Sequence, residues 1–262
     1  MSLLSGWQRF YSHQVLRSVV LVLLCMELIS CSTPTQAGST QATDPQLQAK
    51  VLQIIRDNPQ VVIESLQAYQ QKQREQQQQA QKTILQQMKA NPKSVIGDSP
   101  STGASEQKIV LVEFSDFQCP YCSKAHETIK QFITTHKDKV TLVYKHLPLT
   151  QIHPEAMPAA KAAWAAGQQG KFWEFHDAMF TQQKQLGEPL YVATAKSLNL
   201  DLKRFDQDRN SDAANAAIQK DVEMAEKLGI PGTPFLVMNG EPIPGNAQVA
   251  EMEAFLAKLS KS

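Results

Sequence analysis

Two cysteines separated by two residues, Cys119-Pro120-Tyr121-Cys122, directly follow the branched apolar run Ile109–Phe114. This junction constrains the chain more than any other stretch, because it predicts a buried strand running straight into a helix that starts on the first cysteine. Two thiols at that spacing can close a small disulfide ring. The helix start favours the thiolate of the first, lowering its pKa below the ~8.5 of a free thiol. A thiolate that both attacks and leaves is the chemistry of thiol–disulfide exchange. Paired cysteines at this spacing also bind zinc, but a tetrahedral site needs two more ligands. The remaining cysteines, Cys25 and Cys31, lie far away towards the N-terminus, so the strand–motif–helix context favours the redox reading.

The charge pattern excludes other classes. Net charge is +1 over 262 residues, and no basic patch with interleaved aromatics occurs, which argues against nucleic acid. No Gly-rich phosphate loop is present, so no nucleotide cofactor is expected, and no other cofactor or metal is called for. The apolar fraction, 42%, is enough for a packed core in one or two domains.

The first 30 residues read as an export signal: Arg9 and Arg17 supply positive charge and Val19–Met26 an apolar core too short to span a membrane comfortably. Leu28-Ile29-Ser30-Cys31 resembles a bacterial lipobox, in which the cysteine, here Cys31, becomes the lipidated first residue. The alternative is ordinary cleavage nearby with Cys31 incidental. Both place the mature protein outside the cytoplasm, in the periplasm or cell envelope, where disulfide chemistry is at home. Residues 31–45 are Ser-, Thr-, Gln- and Gly-rich and read as a flexible tether.

Residues 46–90 read as a helical arm. Leu47, Val51, Ile54 and Ile55, then Val62, Leu66 and Tyr69, recur at helical spacing. Between them Asn58 suits an N-cap and Pro59 a first helical position. Gln70–Gln81 is polar all round and predicts a solvated helix, continued by Ile84, Leu85 and Met88. Such stripes must bury themselves on another copy of the chain or on its own globular domain, and self-association is the preferred expectation. Residues 91–107 read as a linker with a short edge segment at Val95-Ile96.

The globular part, 108–262, is predicted as strand Ile109–Phe114, helix from about Pro120 to His136, strand Val140–Lys145, a helical block from about 153 to 228, strand Phe235–Met238, a two-residue turn at Asn239-Gly240, strand Glu241–Ile243 and helix Ala247–Leu259. This is a two-layer α/β arrangement with a helical insertion.

With those elements in place, the chain resembles the DsbA-like thioredoxin-fold thiol–disulfide oxidoreductases. The resemblance rests on Phe114-Ser115-Asp116-Phe117-Gln118-Cys119-Pro120-Tyr121-Cys122 and, over a hundred residues later, Gly229-Ile230-Pro231-Gly232-Thr233-Pro234-Phe235. His153-Pro154 and Gly170–Asp177 are similar to the family's helical insertion, and Asn58-Pro59-Gln60-Val61 resembles the oligomerisation segment of ScsC-like and Com1-like members. It implies a thioredoxin fold with an inserted all-helical subdomain, preceded by the N-terminal helical arm.

The resemblance also assigns roles. Cys119 would be the exposed nucleophile and Cys122 the buried resolving cysteine. Thr233-Pro234, with a cis peptide bond, would face the disulfide and present backbone to an extended substrate. Pro120 and Tyr121 would set thiol energetics and border the substrate. Tyr121 stands where the strongest oxidants carry histidine, which implies an intermediate potential. Glu113, the lone charge in its apolar run, would exchange protons with Cys122, its pKa raised by burial; the alternative is an edge carboxylate in water. His126, one turn beyond Cys122, could tune the thiol pKa, and a plain surface histidine is the preferred expectation. His153 and His176 are expected as caps or insertion packing, and Trp164, Phe172, Trp173 and Phe175 as core.

The expected activity is thus disulfide exchange with the thiols and disulfides of exported or unfolded proteins, served by a membrane redox partner. Oxidation is placed slightly ahead of isomerisation or reduction, and the arm could build a homo-oligomer. A copper(I)-handling role for Cys119 and Cys122 is the alternative from another class.

Overall fold

The computed structural model describes residues 44–260; the export signal, Cys31 and nearly all of the tether lie outside them. The chain divides into two units, one ending at Ser65 and one beginning at Leu66. In the first, helix α1 (Pro45–Asp57) starts on Asp44, whose carboxylate accepts from the Gln46 backbone N–H at 2.9 Å, and helix α2 (Pro59–Ala90) begins two residues after α1 ends. Asn58 acts differently from expectation. Its side chain donates to the Ile54 carbonyl at 2.9 Å, closing α1, and only its backbone carbonyl serves α2. Leu47, Val51, Ile54, Ile55 and Val62 are exposed.

The second unit is built on β2 (Ile109–Ser115), whose unbroken apolar run suits a strand covered on both faces. It pairs parallel with β3 (Val140–His146) and antiparallel with β4 (Phe235–Met238). The edges are β1 (Ser101–Gly103) on β3 and β5 (Glu241–Ile243) on β4, both antiparallel, giving the order β1-β3-β2-β4-β5. Asn239 and Gly240 take positive φ values of 47° and 80° at the β4–β5 turn, as a two-residue hairpin requires.

Alternation along β2 sends Val110, Val112 and Phe114 to one face and Leu111 and Glu113 to the other. On the first face they pack with Met88 from the end of α2, with the 3-10 turn Pro92–Val95, and with Ala225 and Leu228 of helix α8 (Asp212–Leu228). So the C-terminal end of α2 docks on its own unit: Gln81 donates to the Leu228 carbonyl at 2.8 Å, and a Cβ on Gly240 would lie 2.2 Å from the Leu85 carbonyl oxygen. Docking thus holds for Ile84, Leu85 and Met88, while Leu66 and Tyr69 stay exposed.

The stretch 91–107 is not an isolated linker. Val95 and Ile96 are buried in a 3-10 turn, and the edge strand lies further on, at Ser101–Gly103. The second face carries helix α3 (Pro120–Thr135) and the C-terminal helix α9 (Val249–Leu259).

Between β3 and β4 the chain forms the helical insertion: α4 (Ala156–Gly167), α5 (Phe172–Thr181), α6 (Glu188–Ser197), α7 (Leu202–Arg209) and α8. Small alanines on α4 let it pack closely against α5 and α7, and Phe172 and Phe175 fill the core as expected. A buried ion pair, Lys145 Nζ to Asp221 Oδ1 at 3.1 Å, ties β3 to α8. The result is a mixed five-stranded sheet flanked by helices, with the helical insertion between β3 and β4.

Candidate active site

The site forms where β2 ends and α3 begins. Cys119 is the N-cap of α3, with extended backbone (φ −71°, ψ 121°) and Pro120 in the first turn. Its sulfur therefore faces the free N–H groups of the helix start. The thiols of Cys119 and Cys122 are unlinked here. The hydrogen bond from Cys122 is the largest influence on Cys119 and, with Thr233 and the N–H groups of Cys122 and Tyr121, brings its pKa down to about 5 against the opposing effect of burial. Burial pushes the Cys122 thiol the other way, far above its ordinary value. One thiol is thus a ready thiolate at neutral pH and its neighbour a held proton.

One expectation is corrected. Cys119 is not exposed in this conformation: only 4% of its surface is accessible, and Cys122 has none. The loop before β4 covers it. Its Thr233–Pro234 bond is cis, and the Cys119 sulfur lies 3.4 Å from the Thr233 carbonyl oxygen. Gly245 makes this placement possible, since a Cβ there would lie 2.2 Å from the Pro234 carbonyl oxygen. Tyr121, by contrast, is 69% exposed and, with Lys124, Thr128, Thr233, Pro234 and Gln248, lines a groove of about 270 Å³ beside the cysteines.

Beneath the thiols, Glu113 sits on the central strand, paired with β3 and β4 on its two sides and 1% exposed, so the water-facing edge carboxylate does not apply. Burial raises its pKa to about 7, with Ser115 pulling the other way, and its Oε1 has no hydrogen-bond partner. The buried Ser115 hydroxyl also lowers the Cys122 pKa, so it neighbours both groups. Tyr144 OH completes this underside without a partner. Buried polar atoms left unpaired are costly, and here they gather on the central strands next to the two cysteines.

Several supporting residues carried no readable signal. Asp116 is a hub: its Oδ1 accepts from the Gln118 N–H at 2.8 Å, while its Oδ2 takes the Leu149 N–H at 3.0 Å and His153 Nδ1 at 2.8 Å. It ties the loop before Cys119 to the loop after β3. Gln183 donates to the carbonyls of Phe117 and Cys119, both at 2.8 Å. Asp116 stands in the motif as quoted, but two of its partners, Leu149 and His153, lie more than 30 residues away. His126 is not a surface residue. It is 8% exposed, stacked on Phe180 at 5.1 Å, and burial lowers its pKa to about 4. His176 is buried among Phe117, Tyr144, Phe172, Trp173 and Phe180, in line with insertion packing.

Comparison with known proteins agrees with this geometry. Over 152 residues the chain is 36% identical to the Na(+)/H(+) antiporter NhaA 1 of Salinispora arenicola, a stretch that is 58% of this chain and 23% of that protein. The chain thus spans about a quarter of the length of the curated relatives it matches. A thioredoxin-like oxidoreductase from Silicibacter pomeroyi superposes with a TM-score of 0.60 at 29% identity, covering 66% of this chain and 99% of that one. Proteus mirabilis ScsC in a transitional conformation gives a TM-score of 0.60 at 24% identity over 83% of this chain and 97% of its own, a likeness of fold. Residues 95–258, well over half of the chain, match the family model described as thioredoxin. By that match, the chain belongs to the thioredoxin family.

Proposed function

We propose that this protein is a thiol–disulfide oxidoreductase acting on exported proteins, with Cys119 and Cys122 as its redox pair and oxidation as its leading direction. The observation that carries this reading is the split between the thiols: one drawn down to about 5, its neighbour driven far up, three residues apart. In the oxidising direction a substrate thiolate attacks Cys119 Sγ of the closed disulfide and the S–S electrons pass to Cys122. Glu113, poised at about 7, supplies the proton this buried leaving group needs. A second substrate thiolate then attacks the substrate sulfur of the mixed disulfide. Cys119 leaves as a stable thiolate, and two electrons have moved from substrate to enzyme. Thr233 and Pro234, with Pro120 and Tyr121, would hold the substrate chain along the groove.

Reoxidation calls for a membrane redox partner. An extracytoplasmic setting fits the export-type N-terminus, with Cys31 as the lipidation site; no helix among the described residues is long and apolar enough to cross a membrane. The exposed stripes of α1 and early α2 favour a homo-oligomer, and with it a second reading as an isomerase. The deciding experiment is the equilibrium reduction potential of the pair against glutathione. A value towards the ~−120 mV of strong oxidants supports disulfide donation, and one at the ~−270 mV of thioredoxin overturns it in favour of a reductase.

A further inference from the structure

Away from the cysteines, two helices bring a second set of donors together. His126 is the eighth residue of Cys119–His126 and lies on α3; His176 and Asp177 are adjacent on α5. His126 Nε2 lies 3.7 Å and His176 Nδ1 3.2 Å from the same oxygen, Asp177 Oδ1. The three ligand atoms fall within 4.8 Å of one another. Donors about 2.1 Å from a tetrahedral zinc ion stand roughly 3.4 Å apart, and the two printed separations straddle that value. We propose that His126, His176 and Asp177 form a binding site for a divalent transition-metal ion of the zinc class.

A structural hydrogen bond to Asp177 would need one imidazole; here two, from different helices, converge on one oxygen. Both rings are buried. Two imidazoles and one carboxylate are a donor set suited to zinc, which in three-ligand sites keeps a fourth position for water. That position has room: the cluster lines a cavity of about 170 Å³ that also reaches Glu113, Thr102 and Trp173. Asp177 is partly exposed, which provides an entry path, and Lys130 holds its other oxygen and so orients the carboxylate from the outer shell. An ion here would share the cavity through which Glu113 is approached.

The test uses the untagged full chain carrying Cys25→Ser and Cys31→Ser, with its Cys119–Cys122 disulfide closed, so that thiolates cannot bind. Calorimetric titration with zinc chloride should show one equivalent bound, and His126→Gln should weaken that binding by at least about tenfold, since even outer-shell changes cost that much. A thermal melt confirms that this variant is folded. Cobalt(II) bound to the same chain reports the donors with none of them substituted. A tetrahedral spectrum lacking thiolate charge-transfer bands supports the site. Absence of saturable binding, unchanged affinity in folded His126→Gln, or thiolate bands would each overturn it.

Discussion

The hydrogen bond from Cys122 to the Cys119 sulfur is the leading cause of the low Cys119 pKa, so removing it tests the proposed chemistry directly. The pKa falls from 9.0 to about 5, but at pH 7 only the two units below the working pH count, worth about 3 kcal/mol in favour of the reduced form. For a two-electron couple this corresponds to about 60 mV of added oxidising power. The sign follows from the direction of the shift. A depressed acid gains stability above its folded pKa, so the reduced form gains over the oxidised one as pH rises from about 5 towards 9 and loses that gain as pH falls through about 5. The assay is the pH dependence of Cys119 alkylation by iodoacetamide, in the reduced protein and in Cys122→Ala. The native midpoint should lie near 5, and the variant midpoint should rise by at least about one unit, with a loss of about 1.4 kcal/mol of thiolate stabilisation. A native midpoint near 9, or no rise in Cys122→Ala, would refute the reasoning.

Other outcomes follow from the surroundings. Glu113→Gln should slow release of the mixed disulfide and remove an inflection near pH 7 from its rate; unchanged kinetics excludes Glu113 from the proton route. Because the Glu113 pKa is raised, its contribution to stability is present below its ordinary value of 4.5 and lost as pH rises through about 7. The stability of Glu113→Gln relative to the native chain should therefore improve by up to about 3 kcal/mol between pH 4.5 and 8 in urea melts. Gly245→Ala forces a Cβ into the Pro234 carbonyl and should cost about 1–3 kcal/mol while slowing exchange; a neutral effect on both would show that the loop moves freely. Met88→Ala should cost about 2–5 kcal/mol if α2 is anchored by its C-terminal end, measured by thermal unfolding. Light scattering should give a mass above that of one chain, lowered to one chain by joint replacement of exposed Ile55 and Val62 with Glu; a monomeric native chain would end the oligomer proposal.

Much of the scaffold is local information. Phe235–Met238 and Glu241–Ile243 are strands because branched residues flank an Asn-Gly turn that only a tight hairpin accommodates. The helix after Cys119 is signalled by Pro120 and by apolar spacing over a few turns. The placing of Cys119 and Cys122 at a helix start and of the cis Thr233-Pro234 loop was also legible, each from a short contiguous motif. Strand β1 was not. Three residues carry no periodicity, and Ser101–Gly103 is a strand only because the edge of β3 offers it hydrogen bonds.

From sequence alone, then, come the expectation of a dithiol at a helix start, the order of the elements and the lone carboxylate in β2, since each depends on neighbours along the chain. Tertiary structure alone decides that Cys119 lies beneath Thr233, that Asp116 holds His153, that Ile84 to Met88 cover a sheet face and that His126 meets Asp177 fifty residues on. Those contacts arise when elements distant in sequence pack against one another. Burial, which raises the pKa of Glu113 and lowers that of His126, is a property of that packing and of no residue by itself.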